Sequence, residues 1–206
     1  MFRHFEFGGL PVLVRDNEAC EQDATVPLVL FLHRSGERGS DGWNALRYGL
    51  PAVANRPEIA RLRIVVPQCP LGDRWTEWMD SLASIVESFG SERAVVTGFS
   101  MGGHGAWTFA LRHPERVLRV SPIAAPLPTG VSAEQLALAL PAVPIWVMHS
   151  RDDERVPVSA SDLAVTALSM NGRPPRYTRY EGLMHGATCT AQLAVHAVSL
   201  REPSDP

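Results

Sequence analysis

Gly98-Phe99-Ser100-Met101-Gly102 is the stretch of this sequence best equipped for chemistry. A serine hydroxyl between two glycines suits nucleophilic attack on a carbonyl, provided the chain turns sharply there and lifts the hydroxyl clear of its surroundings. Such a turn leaves no space for side chains at the flanking positions, which glycine tolerates. The residues before it, Ala94–Thr97, read as a buried strand, and GHGAWTFALRH after it reads as a helix. A helix starting at the serine aims free N–H groups and a partial positive charge at a developing oxyanion. A bare G-x-S-x-G string is a weak signal, and one set between a strand and a helix is a strong one. The competing reading is a glycine-rich turn with an incidental serine.

An activated serine needs a base, and the base needs an acid that holds its tautomer. When the nucleophile sits on a strand-to-helix turn of this kind, the partners follow it in the order acid, then histidine. The strand-like PIWVMH, ending at His149, runs into Ser150-Arg151-Asp152-Asp153-Glu154-Arg155-Val156-Pro157. It offers three carboxylates, of which those not used read as solvated loop residues. The residues themselves leave the choice open. RYTRY then gives way to Glu181-Gly182-Leu183-Met184-His185-Gly186, which places His185 in a loop after the last strand. The other histidines compete less well: His4 and His33 precede the serine, His104, His113 and His196 fall in helical patterns, and His149 closes a strand.

Short apolar runs separated by helical patterns must position these residues. Phe2–Phe7 and Leu10–Arg15 read as a hairpin turning at Gly8-Gly9. Pro27–His33 is apolar without alternation, as in a strand buried on both faces. Arg63–Gln68, Ala94–Phe99, Val117–Ile123, Ile145–His149 and Arg176–Tyr180 are the further strand candidates. Helices are expected over Glu77–Phe89, Gly102–Arg112, Ala133–Leu140, Ser159–Met170 and Thr190–Leu200. This alternation predicts an α/β fold with a mostly parallel central sheet flanked by helices on both faces. Ligands of such sheets bind beyond the carboxyl ends of the strands, where Ser100, the acid loop and His185 fall.

With 206 residues, the chain suits one domain spanning 1–206. Apolar residues at 45% and charged residues at 20% are the balance of a globular protein. A net charge of −3 excludes the basic stripe that a nucleic-acid binder needs. No run reaches the roughly 20 apolar residues of a membrane span. The start, MFRHFEFGGLPVLVRDNE, lacks the unbroken apolar stretch of a signal peptide, so a cytoplasmic location is expected, with no membrane partner. Cys20, Cys69 and Cys189 are too far apart for a metal or redox pair and read as reduced thiols, with Cys69 in a packing role.

The segments PLVLFLHRSGERGSDGWNALRYGLP, IVVPQCPLGDRW, VVTGFSMGGHGAWTFALRHPERV, VPIWVMHSRDDERVPVSAS and RYTRYEGLMHG together resemble the α/β-hydrolase superfamily. Within it they are similar to the small esterase and "predicted peptidase" branch, near the phospholipase/carboxylesterase and dienelactone hydrolase relatives. They run from about residue 27 to 186. The resemblance implies a catalytic triad of Ser100, Asp153 and His185. The acid is chosen by the relatives' pattern of His, Asp four residues on and Pro four beyond that, which lands on His149, Asp153 and Pro157. It implies an oxyanion hole formed by the backbone N–H groups of Ser35 and Met101. It also offers Trp75 as a lining of the acyl pocket, with core packing as the competing reading. Where relatives carry glycine after the first-loop histidine, this chain has Arg34, which either crowds the hole or recruits an anionic substrate. The tail ATCTAQLAVHAVSLREPSDP is less aromatic than in relatives, and its apolar surface leaves a homodimer open.

These readings converge on a serine hydrolase cleaving carboxylic esters through an acyl-enzyme, without metal or organic cofactor. Its partner is a small-molecule ester or related acyl substrate. The short span Ala124–Pro141 leaves no room for a large lid and favours short-chain or soluble esters. Two alternatives stand beside this one. A thioesterase or peptidase-like amidase would use the same triad, and a non-catalytic ligand-binding protein would keep the fold alone.

Overall fold

The structure, a computed structural model, describes residues 1–16, 28–57, 59, 62–140 and 142–187. Its strands are β1 (Arg3–Phe7), β2 (Leu10–Arg15), β3 (Leu28–Leu32), β4 (Arg63–Pro67), β5 (Ala94–Phe99), β6 (Val117–Ile123), β7 (Trp146–Ser150) and β8 (Arg176–Tyr180). The helices are α1 (Met79–Ser88), α2 (Met101–Arg112), α3 (Ala133–Ala139), α4 (Ser159–Met170) and the single turn α5 (Met184–Ala187). All the strands join one sheet in the order β1-β2-β4-β3-β5-β6-β7-β8. β2 pairs antiparallel with β1 and β4, and every other pairing is parallel.

The absence of alternation in β3 has a direct cause. Leu28, Leu30 and Leu32 enter one core with α1 and α2, while Val29 and Phe31 enter a second core on the opposite face. A parallel strand covered on both faces has no polar side to show. The first core also takes Leu136 and Ala137 of α3 and Ala164 and Leu168 of α4. The second is closed by Ala45, Leu50, Ala54 and Ile59, from a segment of 3₁₀ turns at Trp43–Leu46 and Pro51–Val53. These turns lack a helical period and were not expected from the sequence. The expected helix Thr190–Leu200 lies outside the described residues. The helix expected from Glu77 starts as a 3₁₀ turn, Trp75–Glu77, before α1 begins at Met79.

Register sets the site. Leu32 lies opposite Gly98 and Phe99 opposite Ile123, so β3, β5 and β6 end level. β7 and β8 end together at Ser150 and Tyr180. Ser35, Ser100, Asp153 and His185 therefore all leave the sheet at its carboxyl edge. Among the described residues no helix is long and apolar enough to cross a membrane.

Candidate active site

Ser100 sits between β5 and α2 with φ 57° and ψ −115°, a conformation that costs a side-chain-bearing residue strain. It is held there from both sides, its N–H donating to Ile123 O at 2.9 Å and its carbonyl accepting from His104 N–H at 2.9 Å. The two glycines are obligatory by contact. A Cβ on Gly102 would lie 1.8 Å from Leu32 O, and one on Gly98 would lie 2.4 Å from Gly102 O. Both obstacles are backbone, so helix α2 can rest directly on the end of β3 only because these side chains are absent.

The Ser100 hydroxyl lies 3.0 Å from His185 Nε2, and His185 Nδ1 lies 2.7 Å from Asp153 Oδ2. The His185 ring rests on Phe99, centroid to centroid 4.8 Å. Asp153 Oδ1 accepts the N–H groups of Arg155 at 2.9 Å and Val156 at 2.8 Å. Burial raises the Asp153 carboxyl, but the donors Val156, His185 and Arg155 outweigh it and hold the group below the usual carboxylate range. Asp153 is thus ionised, and its other oxygen, Oδ2, faces the His185 imidazole.

All three carboxylates of this loop have partners in the segment carrying His185. Glu154 Oε2 accepts the His185 backbone N–H at 2.9 Å, and Asp152 accepts the Gly182 N–H. The two expected to be solvated remain exposed yet clamp the segment that presents the histidine. His149 is a further participant that the sequence reading took only as a buried strand end. Its Nε2 donates to Val156 O at 3.0 Å and lies 3.2 Å from Asp153 Oδ2, while Nδ1 accepts from Ser161 Oγ at 2.7 Å. Burial lowers its pKa, against the pull of Val156 and Asp153.

The opposite wall follows β3. His33 Nδ1 donates to Arg34 O at 2.6 Å, and its Nε2 accepts the Cys69 N–H at 3.0 Å. This fixes the loop that leads into Ser35. Trp75 is fully buried, and its Nε1 donates to His33 O at 2.9 Å. Arg34 pairs through Nε with Glu37 Oε1 at 2.8 Å, and its guanidinium lies over the Tyr48 ring at 4.5 Å. Neither Arg34 nor Trp75 borders the cavity beside Ser100. That cavity, about 340 Å³, is lined by Ser35, Met101, Arg38, Arg74 and His104 together with Pro126, Leu127 and Thr129. Ser35 and Met101 each open a helical turn, where backbone N–H groups have no intrahelical acceptor.

A model of the phospholipase/carboxylesterase family matches residues 78–200, more than half of the chain. The chain belongs to this family. It is also 34% identical over 120 residues to a 2-hydroxy-6-oxononadienedioate/2-hydroxy-6-oxononatrienedioate hydrolase of Paraburkholderia phymatum, covering 53% of this chain and 39% of that one. The match therefore spans well under half of that relative's length. Among solved structures, a thermostable esterase superposes with TM-score 0.75 and 26% identity, over 97% of this chain and 60% of that one. A "predicted CIB-like hydrolase" from Thermoplasma acidophilum superposes with TM-score 0.71 and 16% identity, over 95% and 94%. The sheet and these neighbours make this the α/β-hydrolase fold.

Cys69 is buried and free, as expected of a packing cysteine, and burial pushes its thiol up to about 12. The buried His33 carries a testable consequence. Burial lowers its pKa from 6.5 to about 4, against the Arg34 hydrogen bond. Below pH 6.5 the unfolded chain binds a proton that the folded chain refuses, so stability falls as pH drops from 6.5 toward 4. His33 accounts for about 3 kcal/mol of this loss, and His149 adds in the same direction. Melting temperatures from pH 7 to 4.5 should decline accordingly, with a shallower slope in His33→Gln. An unchanged slope would remove His33 as the source.

Proposed function

We infer that this protein is a serine hydrolase that cleaves carboxylic esters of short or soluble acids through an acyl-enzyme. The observation that carries the reading is the unbroken chain from Ser100 Oγ through His185 to Asp153, at 3.0 and 2.7 Å. An ionised Asp153 accepts the Nδ1 proton of His185, which leaves the Nε2 lone pair facing the serine hydroxyl. His185 then takes the serine proton as Oγ attacks the carbonyl carbon, and returns it to the departing alkoxide. Water repeats the sequence on the acyl-enzyme and releases the acid. The developing oxyanion is assigned to the N–H groups of Ser35 and Met101. Each such donor is worth roughly 10²–10³ in turnover. The pairing of Arg34 with Glu37 and its contact with the Tyr48 ring support an open pair of donors.

The test is covalent. An alkyl fluorophosphonate is expected to add once to the native protein, on Ser100, and to leave Ser100→Ala unmodified in intact-mass spectra. p-Nitrophenyl acetate, butyrate and octanoate should be hydrolysed, with the rate falling as the acyl chain lengthens. Absence of both labelling and turnover would sink the reading. Labelling without ester turnover would move it to thioesters or amides, which the same triad can attack.

A further inference from the structure

The cavity beside Ser100 is unusual in its charge. Its lining includes apolar Met101, Pro126 and Leu127, but also two arginines, Arg38 and Arg74. Arg38 is locked in place: Nε donates to Ser35 O at 3.0 Å and Nη1 to Asp73 O at 3.1 Å. Both acceptors are neutral carbonyls. Among the described residues neither Arg38 nor Arg74 forms an ion pair with a carboxylate. The cavity is thus bordered by two arginines with no carboxylate among the described residues at ion-pair distance from their guanidinium groups, one of them tied to the loop that carries Ser35. Two arginines without an ion pair among the described residues, lining one cavity with Ser100 in a chain of net charge −3, suit an anion.

The side of the nucleophile on which that anion lies follows from the proton path. The leaving oxygen must reach His185 Nε2 to be protonated. His185 does not border the cavity, whereas Ser35 and Met101 do. What fills the cavity is therefore the part of the substrate that stays on Ser100. At about 340 Å³ it lies at the small end of ligand clefts, sized for a short chain.

We propose that the substrate's acyl group ends in a carboxylate, so that the enzyme hydrolyses monoesters of short dicarboxylic acids, with Arg38 and Arg74 holding the free carboxylate. This deepens, and rests on, the ester-hydrolase reading. The balance is that of any acyl transfer. Ser100 Oγ bonds to the ester carbon, the alcohol leaves with the proton carried by His185, and water then cleaves the acyl-serine bond to release the dicarboxylate. A charge-assisted pair of hydrogen bonds to the remote carboxylate raises kcat/KM over a neutral ester of equal length by about 10- to 100-fold.

The experiment compares monomethyl glutarate, methyl pentanoate and the butyrate ester of glycolic acid, which carries its carboxylate on the alcohol side, by titrating released acid. The hemi-ester is expected to lead at low salt and to lose its advantage as ionic strength rises. In Arg74→Gln the ratio of hemi-ester to neutral-ester kcat/KM should fall about tenfold, and in Arg74→Glu it should fall below one. A structural defect would lower both rates and leave the ratio unmoved. Equal rates on all three esters, or a ratio unmoved by both Arg74 variants, overturn the proposal and leave the esterase reading intact. A preference for the glycolate ester overturns the acyl placement. Failure of native protein to cleave any ester or accept the fluorophosphonate removes the reading beneath it as well.

Discussion

Ser100→Gly is expected to abolish turnover and to raise the melting temperature at the same time. The first effect is the loss of the attacking oxygen, which lowers kcat for simple esters by at least about 10⁴-fold. The second comes from the backbone. Ser100 sits at φ 57° and ψ −115°, and residues confined to such regions carry about 1–3 kcal/mol of strain. Glycine relieves that strain, offset by roughly 0.5–1 kcal/mol for the greater freedom of the unfolded chain. The net gain reaches about 2 kcal/mol, or several degrees for a chain of this size. Ser100→Ala is the control, because it removes the oxygen and keeps the Cβ. It should lose the same activity without the gain in stability. Identical melting temperatures for the two variants would show that the turn is unstrained, and residual turnover in either would displace Ser100 as nucleophile.

Asp153→Asn should cost about 10⁴-fold in kcat while leaving the shape of the site nearly intact. The argument is one of tautomers. Oδ1 accepts two backbone N–H groups, so the amide oxygen of an asparagine must occupy that place. Its NH₂ then points at His185 Nδ1, which must accept rather than donate, and the imidazole proton moves to Nε2 opposite the serine hydroxyl. A base that already carries its proton there cannot take another. The same NH₂ meets His149 Nε2, which already donates to Val156, so two donors face each other across what was a 3.2 Å contact. The variant should therefore also melt lower than native protein. Activity within tenfold of native would mean that Asp153 does not set the tautomer.

Ser100 and His185 were legible as candidates in the sequence because chain order constrains them. Ser100 and His185 each follow a strand, and the fold admits one order. The carboxylate that meets His185 was not legible from the residues themselves. Asp152, Asp153 and Glu154 are neighbours of similar chemistry, and they differ only in which atom of the His185 segment the loop turns them toward. Family resemblance, not spacing, singled out Asp153. Arg34 and Trp75 illustrate the converse. Each lies next to the site in sequence, but Arg34 is drawn to Glu37 and Trp75 is buried under His33, and chain position carries no information about side-chain direction. Arg38 and Arg74 escaped notice because they come from two separate loops that only the fold brings to one cavity. The strands were readable as apolar runs, whereas the 3₁₀ turns closing the second core have no period to read.

The sheet joins its two halves unevenly. β5 and β6 run paired along their length, as do β7 and β8, but among the described residues the β6–β7 ladder consists of Ile123 opposite Met148 and the isolated bridge of Val120 with Ile145. Ser100 stands on one side of this seam, and Asp153 and His185 both stand on the other. Opening at this seam would therefore carry Asp153 and His185, joined by their hydrogen bond, away from Ser100 together. Heating should silence the enzyme through this local parting before the bulk of the secondary structure melts, and cooling from that intermediate range should restore activity without refolding of the whole chain.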